Sequence, residues 1–266
     1  MTDFSYLFSR ADDLLAQSNK GYVTSTPFLT PGEHRVLTEK LTREGFNARF
    51  FSFGGYNDAE RKCVFFVPDF YDSFVDASDG KDALVQYCAE DIKEKLGAAK
   101  ISGSGYKKLS HRDYMGALLN MGIDRDTLGD ICPIDDYSCV IFLQRSVLDF
   151  LLTSLEKIGS DKVKINDFGD LSDFTYEKKT VPVSDTVASP RLDSVVSALT
   201  RESREKAKNL ILSELVELNY LPCSKNDMKV EADDVISVRG YGKFAVKDIS
   251  DQTKKGRLWL RAEKYV

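Results

Sequence analysis

Near the start of the chain, Phe4, Leu7, Phe8, Ala11, Leu14 and Leu15 recur at three- and four-residue intervals, the period of a helix with one buried face. A second helix is expected from Thr30, with Pro31 at its first position and Glu33 placed to close a capping box; it should end near Gly45. Residues 50–53 and 62–67 read as strands flanking a turn-rich stretch over 54–61. Helical spacing returns over 82–96 through Leu84, Val85, Cys88, Ala89, Ile92 and Leu96, a Gly-rich extended stretch covers 101–105, and another helix is expected over 111–120. Residues 131–134 and 139–143 flank Asp135-Asp136-Tyr137 as a hairpin, 147–158 reads as helix and 163–165 as strand. Residues 166–188 have short polar runs and weak periodicity, the pattern of a linker with at most one strand.

Helices alternating with strands predict an α+β chain. An N-terminal α/β region spans 1–80, a ferredoxin-like (RRM-like) sandwich, the plan of many RNA-recognition folds, spans 81–165, the linker 166–188, and a C-terminal module 189–266. With 266 residues, 42% of them hydrophobic and 30% charged, the chain can bury real cores, which excludes disordered and collagen-like classes. The longest apolar runs, 63–67 and 139–143, are of strand length, so no membrane insertion is expected. The first residues lack the basic start and apolar stretch of a secretory signal, so a cytoplasmic address is expected. Five cysteines without a C-x-x-C pair predict free thiols and no metal site.

The formal net charge of −5 conceals an asymmetry. Residues 189–266 hold 15 Lys and Arg against 12 Asp and Glu, so the net negative charge lies in the first 188 residues. Between Arg239 and Lys264 eight basic residues face Asp248, Asp251 and Glu263. Such a basic end suits a polyanion partner, or is a solvated basic surface.

In the C-terminal module, Ser189-Pro190 opens a helix whose apolar face is Leu192, Val195, Val196 and Leu199, with Arg191 off that face. Ser203 can cap a second helix with Ala207, Leu210 and Ile211 inside and Arg204 and Lys208 outside. With Arg201 just before the cap, cations gather at a helix N-terminus, where unpaired N–H groups favour phosphate. Strands are expected over 216–218 and 235–238. The following Arg239-Gly240-Tyr241-Gly242-Lys243-Phe244 interleaves cations, aromatics and glycines, so that Tyr241 could stack on an unpaired base.

Arg191-Leu192-Asp193, Ser203-Arg204 with Ala207 and Ile211, Val216 through Asn219, and Asp234 through Val238 resemble the S4 RNA-binding domain (αL-type). Glu214, Tyr220 and Asp233 stand where that family carries Gly. Further blocks extend the likeness to nearly the full chain: Phe28-Leu29-Thr30-Pro31, Phe53-Gly54-Gly55-Tyr56 with Asp58-Ala59-Glu60-Arg61-Lys62, His111-Arg112-Asp113-Tyr114, Gly122-Ile123-Asp124-Arg125 with Leu128-Gly129-Asp130-Ile131, and Arg239-Gly240-Tyr241-Gly242-Lys243 with Thr253-Lys254-Lys255-Gly256-Arg257. In that order they resemble the YlmH family of bacterial S4 proteins. The resemblance implies a non-catalytic, cytoplasmic RNA-binding protein that associates with the large ribosomal subunit carrying peptidyl-tRNA. It further implies a place in ribosome-associated quality control and an older link to cell division. Its implied partners are large-subunit RNA, tRNA and ribosomal proteins, with a monomer off the ribosome and no cofactor.

On this reading Arg191, Arg201, Ser203, Arg204 and Lys208 form the RNA contact, extended by Arg239, Tyr241, Lys243, Lys254, Lys255 and Arg257. Asp193 is expected to brace Arg191 or cap locally. Arg61, Lys62, His111, Arg112 and Arg125 form a possible secondary RNA or ribosome contact, or internal ion pairs with Asp113 and Asp130. His34 and His111 are the only histidines, and H-E-x-x-H, phosphate-loop and G-x-S-x-G patterns are absent. Two alternatives remain: a protein-interaction adaptor tethered to RNA and linked to cell division, and an RNA-modifying enzyme, since an Arg-Leu-Asp triplet carries a catalytic Asp in S4-bearing pseudouridine synthases.

Overall fold

The computed structural model describes residues 3–73, 80–169, 174–253 and 256–266, and the chain divides into two compact units, Met1–Tyr176 and Glu177–Val266. The first opens with α1 (Ser5–Ser18), β1 (Thr24–Ser25) and α2 (Pro31–Arg43). At the start of α2 the Thr30 hydroxyl accepts the Glu33 N–H and a Glu33 carboxylate oxygen accepts the Thr30 N–H at 2.8 Å, the expected capping box. β2 (Phe50–Phe53) and β3 (Cys63–Phe66) complete a sheet in the order β1-β3-β2, which packs on α1 and α2 through Leu14, Leu37, Leu41, Phe50 and Phe66.

Next come α3 (Gly80–Tyr87), α4 (Ala89–Lys95), β4 (Leu96–Gly103), α5 (His111–Asn120), β5 (Leu128–Pro133), β6 (Ser138–Gln144), α6 (Arg145–Ser154), β7 (Lys157–Ile158) and β8 (Asp161–Asp167). The helix expected over 82–96 is broken at Cys88, and Leu96, the last apolar residue of the helical stripe, is already in a strand. Likewise the helix read as far as Ile158 stops at Ser154: Leu155 is extended, and Ile158 keeps its buried place from a two-residue strand. Buried apolar residues at helical spacing do not distinguish a helix from a helix running into a strand.

These strands form an antiparallel sheet in the order β5-β6-β4-β8-β7. Alternation along β6 explains how it is buried. Cys139, Ile141 and Leu143 join Tyr114 and Leu118 of α5 and Leu148 and Leu151 of α6. Val140 and Phe142 enter a second cluster with Val23, Phe28, Phe51, Tyr56 and Phe65 from the first 80 residues. The boundary expected at residue 80 therefore does not separate two cores. Gly55 shows how close the approach is: at φ +102° it lies against the Phe142 ring, where any Cβ would clash.

The second unit comprises β9 (Thr180–Val187), α7 (Leu192–Thr200), α8 (Arg204–Leu212), β10 (Val216–Leu218), β11 (Leu221–Pro222), β12 (Val235–Val238), β13 (Gly242–Gln252) and β14 (Leu258–Tyr265), with sheet order β11-β10-β12-β13-β14-β9. Leu192, Val195, Val196, Leu199, Ala207 and Ile211 of the two helices cover Val216, Ile236, Val238, Phe244 and Leu260 of the sheet. The stretch read as a linker contains β9, registered with β14 from Thr180↔Tyr265 to Val187↔Leu258. Its weak periodicity follows from its place at the sheet edge, where backbone pairing rather than an apolar face holds it. The backbone is left-handed at Glu214 (φ +55°), Tyr220 (φ +67°) and Asp233 (φ +68°), the positions where the resembled family has Gly. Asn219 locks the adjoining turn, its side chain accepting the Val235 N–H at 2.9 Å and donating to Asp234 at 2.7 Å.

Candidate nucleic-acid interface

Asp193 lies in the first turn of α7, fully buried, with its carboxylate aimed at two arginines. Arg204 donates through Nε to Oδ2 at 3.1 Å and through Nη2 to Oδ1 at 3.2 Å, while Arg191 donates through Nε to Oδ1 at 3.3 Å. Burial by itself would raise the Asp193 pKa; hydrogen bonds from Arg204 and then Arg191 outweigh it and hold the group below the ordinary carboxylate range. Both guanidinium groups remain nearly half-exposed. One carboxylate thus fixes two cations and neutralises one charge, leaving a preorganised positive pair with outward donors. The expectation that Asp193 braces Arg191 holds, and the structure adds Arg204 to the same carboxylate.

Around this pair the remaining residues are set by the turn between α7 and α8. Arg201 takes a left-handed conformation at φ +57°, which ends α7 and leaves its side chain exposed. Ser203 caps α8 by accepting the Lys206 N–H at 3.2 Å, and Lys208 is exposed one turn beyond Arg204. Arg201, Arg204 and Arg257 line a cavity of about 380 Å³ together with Asp185, Thr186 and Glu202. Arg257 is held there by Thr186, through Nε to Oγ1 at 2.9 Å and through Nη2 to the carbonyl. Sequence reasoning missed Asp185 and Thr186 because they lie in the supposed linker.

Other expected contact residues are placed differently. Tyr241 is half-buried; its hydroxyl donates to Glu202 at 2.8 Å, and the Lys206 ammonium lies 5.9 Å from its ring centre. That ring is not an open stacking platform. Glu202 also accepts Lys206 at 2.7 Å, so Tyr241 adjoins the arginine cavity through this carboxylate. Lys243 sits over the rings of Tyr220, at 5.2 Å, and Tyr265, at 4.8 Å. Arg239 is exposed at the end of β12. Lys254 and Lys255 lie outside the described residues.

In the first unit, the secondary candidates separate into braces and exposed cations. Arg61 is only 7% exposed, and it donates to the carbonyls of Leu128 at 2.7 Å, Phe28 at 2.9 Å and Arg125 at 3.0 Å. Its guanidinium is an internal strut, unavailable to a phosphate, which corrects its reading as a contact. Lys62 is half-buried, its carbonyl accepting the Leu29 N–H at 2.9 Å. Asp130 secures the 54–62 loop by accepting the Tyr56 hydroxyl at 2.8 Å and the N–H groups of Glu60 and Arg61 at 2.7 and 3.0 Å. Asp113 closes a capping box with Ser110. His111, Arg112 and Arg125 are exposed. Desolvation by the surrounding protein and then the Arg125 charge lower the His111 pKa, so this imidazole is neutral at pH 7.

Among the described residues no helix is long and apolar enough to cross a membrane. Residues 95–170 match the family described as "Putative RNA-binding domain in YlmH". The chain is 28% identical over 240 residues to the Bacillus subtilis (strain 168) "Ribosome-associated protein quality control protein P2", covering 90% of this chain and 86% of that one. The solved structure of "Cell division protein ylmH from Streptococcus pneumoniae" overlaps 63% of this chain and 92% of its own at 20% identity, with a TM-score of 0.45.

Proposed function

We propose, from the match of residues 95–170 to the RNA-binding domain family of YlmH and from the 28% identity of nine-tenths of the chain to a ribosome-associated quality control protein, that this protein is a non-catalytic, cytoplasmic RNA-binding factor of the ribosome. It associates with the large subunit, contacting its RNA and tRNA in ribosome-associated quality control. The primary contact is the 189–266 module, read as an S4 domain. Residues 81–165 are read as a ferredoxin-like RNA-binding domain, which the order β4-α5-β5-β6-α6-β8, with the two-residue β7 inserted before β8, and the central β4–β6 pair support.

The observation that carries this reading is the Asp193-braced pair Arg191 and Arg204, with Arg201 and Lys208 exposed beside it. A buried carboxylate that orients two half-exposed guanidinium groups suits a ligand presenting several phosphates in fixed geometry, as structured RNA does. Four such phosphate contacts predict that log K falls with log salt at a slope of about −3 to −4.

The test is co-sedimentation with purified large ribosomal subunits, empty and carrying peptidyl-tRNA, at low and moderate salt, comparing wild type with Arg201→Glu/Lys208→Glu. These two residues are exposed and outside the Asp193 brace, so their reversal leaves the fold intact. Loss of pelleting in the variant is expected. Equal pelleting of both proteins, or wild-type binding insensitive to salt, would transfer the interaction to a protein partner and overturn the reading.

A further inference from the structure

The central sheet has one face under α5 and α6 and the other covered only in part. Val140 and Phe142 of β6 and Ala98 of β4 are sealed beneath the N-terminal residues. Phe142 stacks on Tyr56 at a centroid distance of 5.0 Å and meets Phe174 edge-on at 5.1 Å. The aromatic-stacking mode by which RRM sheets read bases is therefore closed at this strand.

Beyond that cover the same face changes character. Lys100 is exposed although its partner on β6 is the buried Val140, so the edge of the cover runs between them. On β8, Lys162, Lys164 and Asn166 alternate with Asp161, Val163 and Ile165 and are exposed. Registration places Asn166 opposite Lys100, Lys164 opposite Ser102, and Lys162 opposite Lys157 of β7. Directly paired residues project to the same side of a sheet. Lys100, Lys157, Lys162 and Lys164 thus share one face, spread over three strands and about 13 Å along β8.

None of these four exposed lysines has an ion-pair partner among the described residues, so their charges are left to solvent or to a ligand. Asp135 feels the Lys100 charge only weakly, and its carboxylate is occupied by Tyr137 and Ser138. Lys157 and Lys162 also stand directly opposite each other, a like-charge cross-strand pair that disfavours the folded sheet.

We propose that this lysine face is a second RNA site, which takes the phosphodiester backbone by charge and reads no bases. It rests on the RNA-binding reading above and gives the 95–170 segment a contact surface distinct from the arginine site of the other unit. Polar Ser102 and Asn166 supply neutral donors between the cations.

The experiment measures the salt dependence of binding of the full chain to a fluorescein-labelled RNA stem-loop by anisotropy. Wild type is compared with Lys100→Gln/Lys162→Gln/Lys164→Gln, with the triple Lys→Arg control, and with Arg201→Gln/Lys208→Gln. The triple Gln variant should flatten the log K against log salt slope by about 2 to 3 with a thermal midpoint no lower than that of wild type, and the Arg control should restore the slope. An unchanged slope in the triple Gln variant, while Arg201→Gln/Lys208→Gln still flattens its own, would overturn the lysine face and leave the main reading standing. Self-association of the triple Gln variant with an unchanged slope would assign the lysines to guarding an exposed strand edge and likewise overturn the proposal. A wild-type slope near zero would overturn both.

Discussion

Asp130 in the first unit and Asp193 in the second each gather several donors, yet the arginine beside each ends in a different place. Asp130 takes a hydroxyl and two backbone N–H groups, while the neighbouring Arg61 guanidinium is buried against three carbonyls. Asp193 takes two guanidinium groups that stay nearly half in solvent. In the first network the Tyr56 hydroxyl, two backbone N–H groups and Arg61 Nε and Nη2 all end on acceptors inside the protein, so its product is a fixed loop. In the second the carboxylate is buried and the cations face outward, so its product is an oriented charge. Arginines in two equally family-like sequence blocks thus serve opposite purposes, and burial of the guanidinium separates them.

The contrast is broken most severely at Arg61. Arg61→Met leaves three carbonyls without their donors, and urea unfolding of the first unit should show a loss of about 3 to 5 kcal/mol with RNA affinity of the folded protein unchanged. Asp193→Ala should cost less, about 2 kcal/mol, because the arginines it frees are partly solvated; unlike Arg61→Met it should also weaken RNA binding. The same carboxylate gives the contrast a pH signature. Its folded pKa lies below the unfolded value of about 3.9, so its contribution is present above that value and lost as pH falls through the folded pKa. Urea midpoints measured from pH 6 down to pH 3 should therefore fall more for wild type than for Asp193→Ala.

Smaller changes sharpen the comparison. Tyr56→Phe removes one bond to Asp130 and should cost about 1 kcal/mol by chemical denaturation, with no change in RNA affinity. At Glu214 the expected sign reverses. A non-Gly residue in the left-handed region costs about 1 to 2 kcal/mol, and Gly returns part of that gain through the unfolded chain. Glu214→Gly should accordingly raise the stability of the second unit by about 0.5 kcal/mol, read as a shift of its thermal midpoint.

Much of the local structure is legible in the chain. The Thr30 and Ser203 caps, the 131–143 hairpin and the apolar faces of the two C-terminal helices follow from short-range chemistry, and all are found. The one strand allowed for in the 166–188 stretch is β9, but an edge strand needs no apolar alternation, so its bounds and its pairing with β14 were not legible, nor were Asp185 and Thr186 of the arginine cavity. Tyr241 showed the same limit: its sequence neighbours say nothing of Glu202, which is 39 positions away and takes its hydroxyl.

The sequence by itself determined the periodicities, the caps, the basic character of the C-terminal end and the likeness to the YlmH family, since each is written in residue type and spacing along the chain. Only the tertiary structure decided which cations are struts and which face outward, that the central sheet's aromatic face is sealed, and that four lysines from three strands share one side. The physical reason is that burial and charge pairing depend on residues brought together across tens of positions. A guanidinium has the same chemistry in either role until the fold sets its distance from water and from the nearest carboxylate.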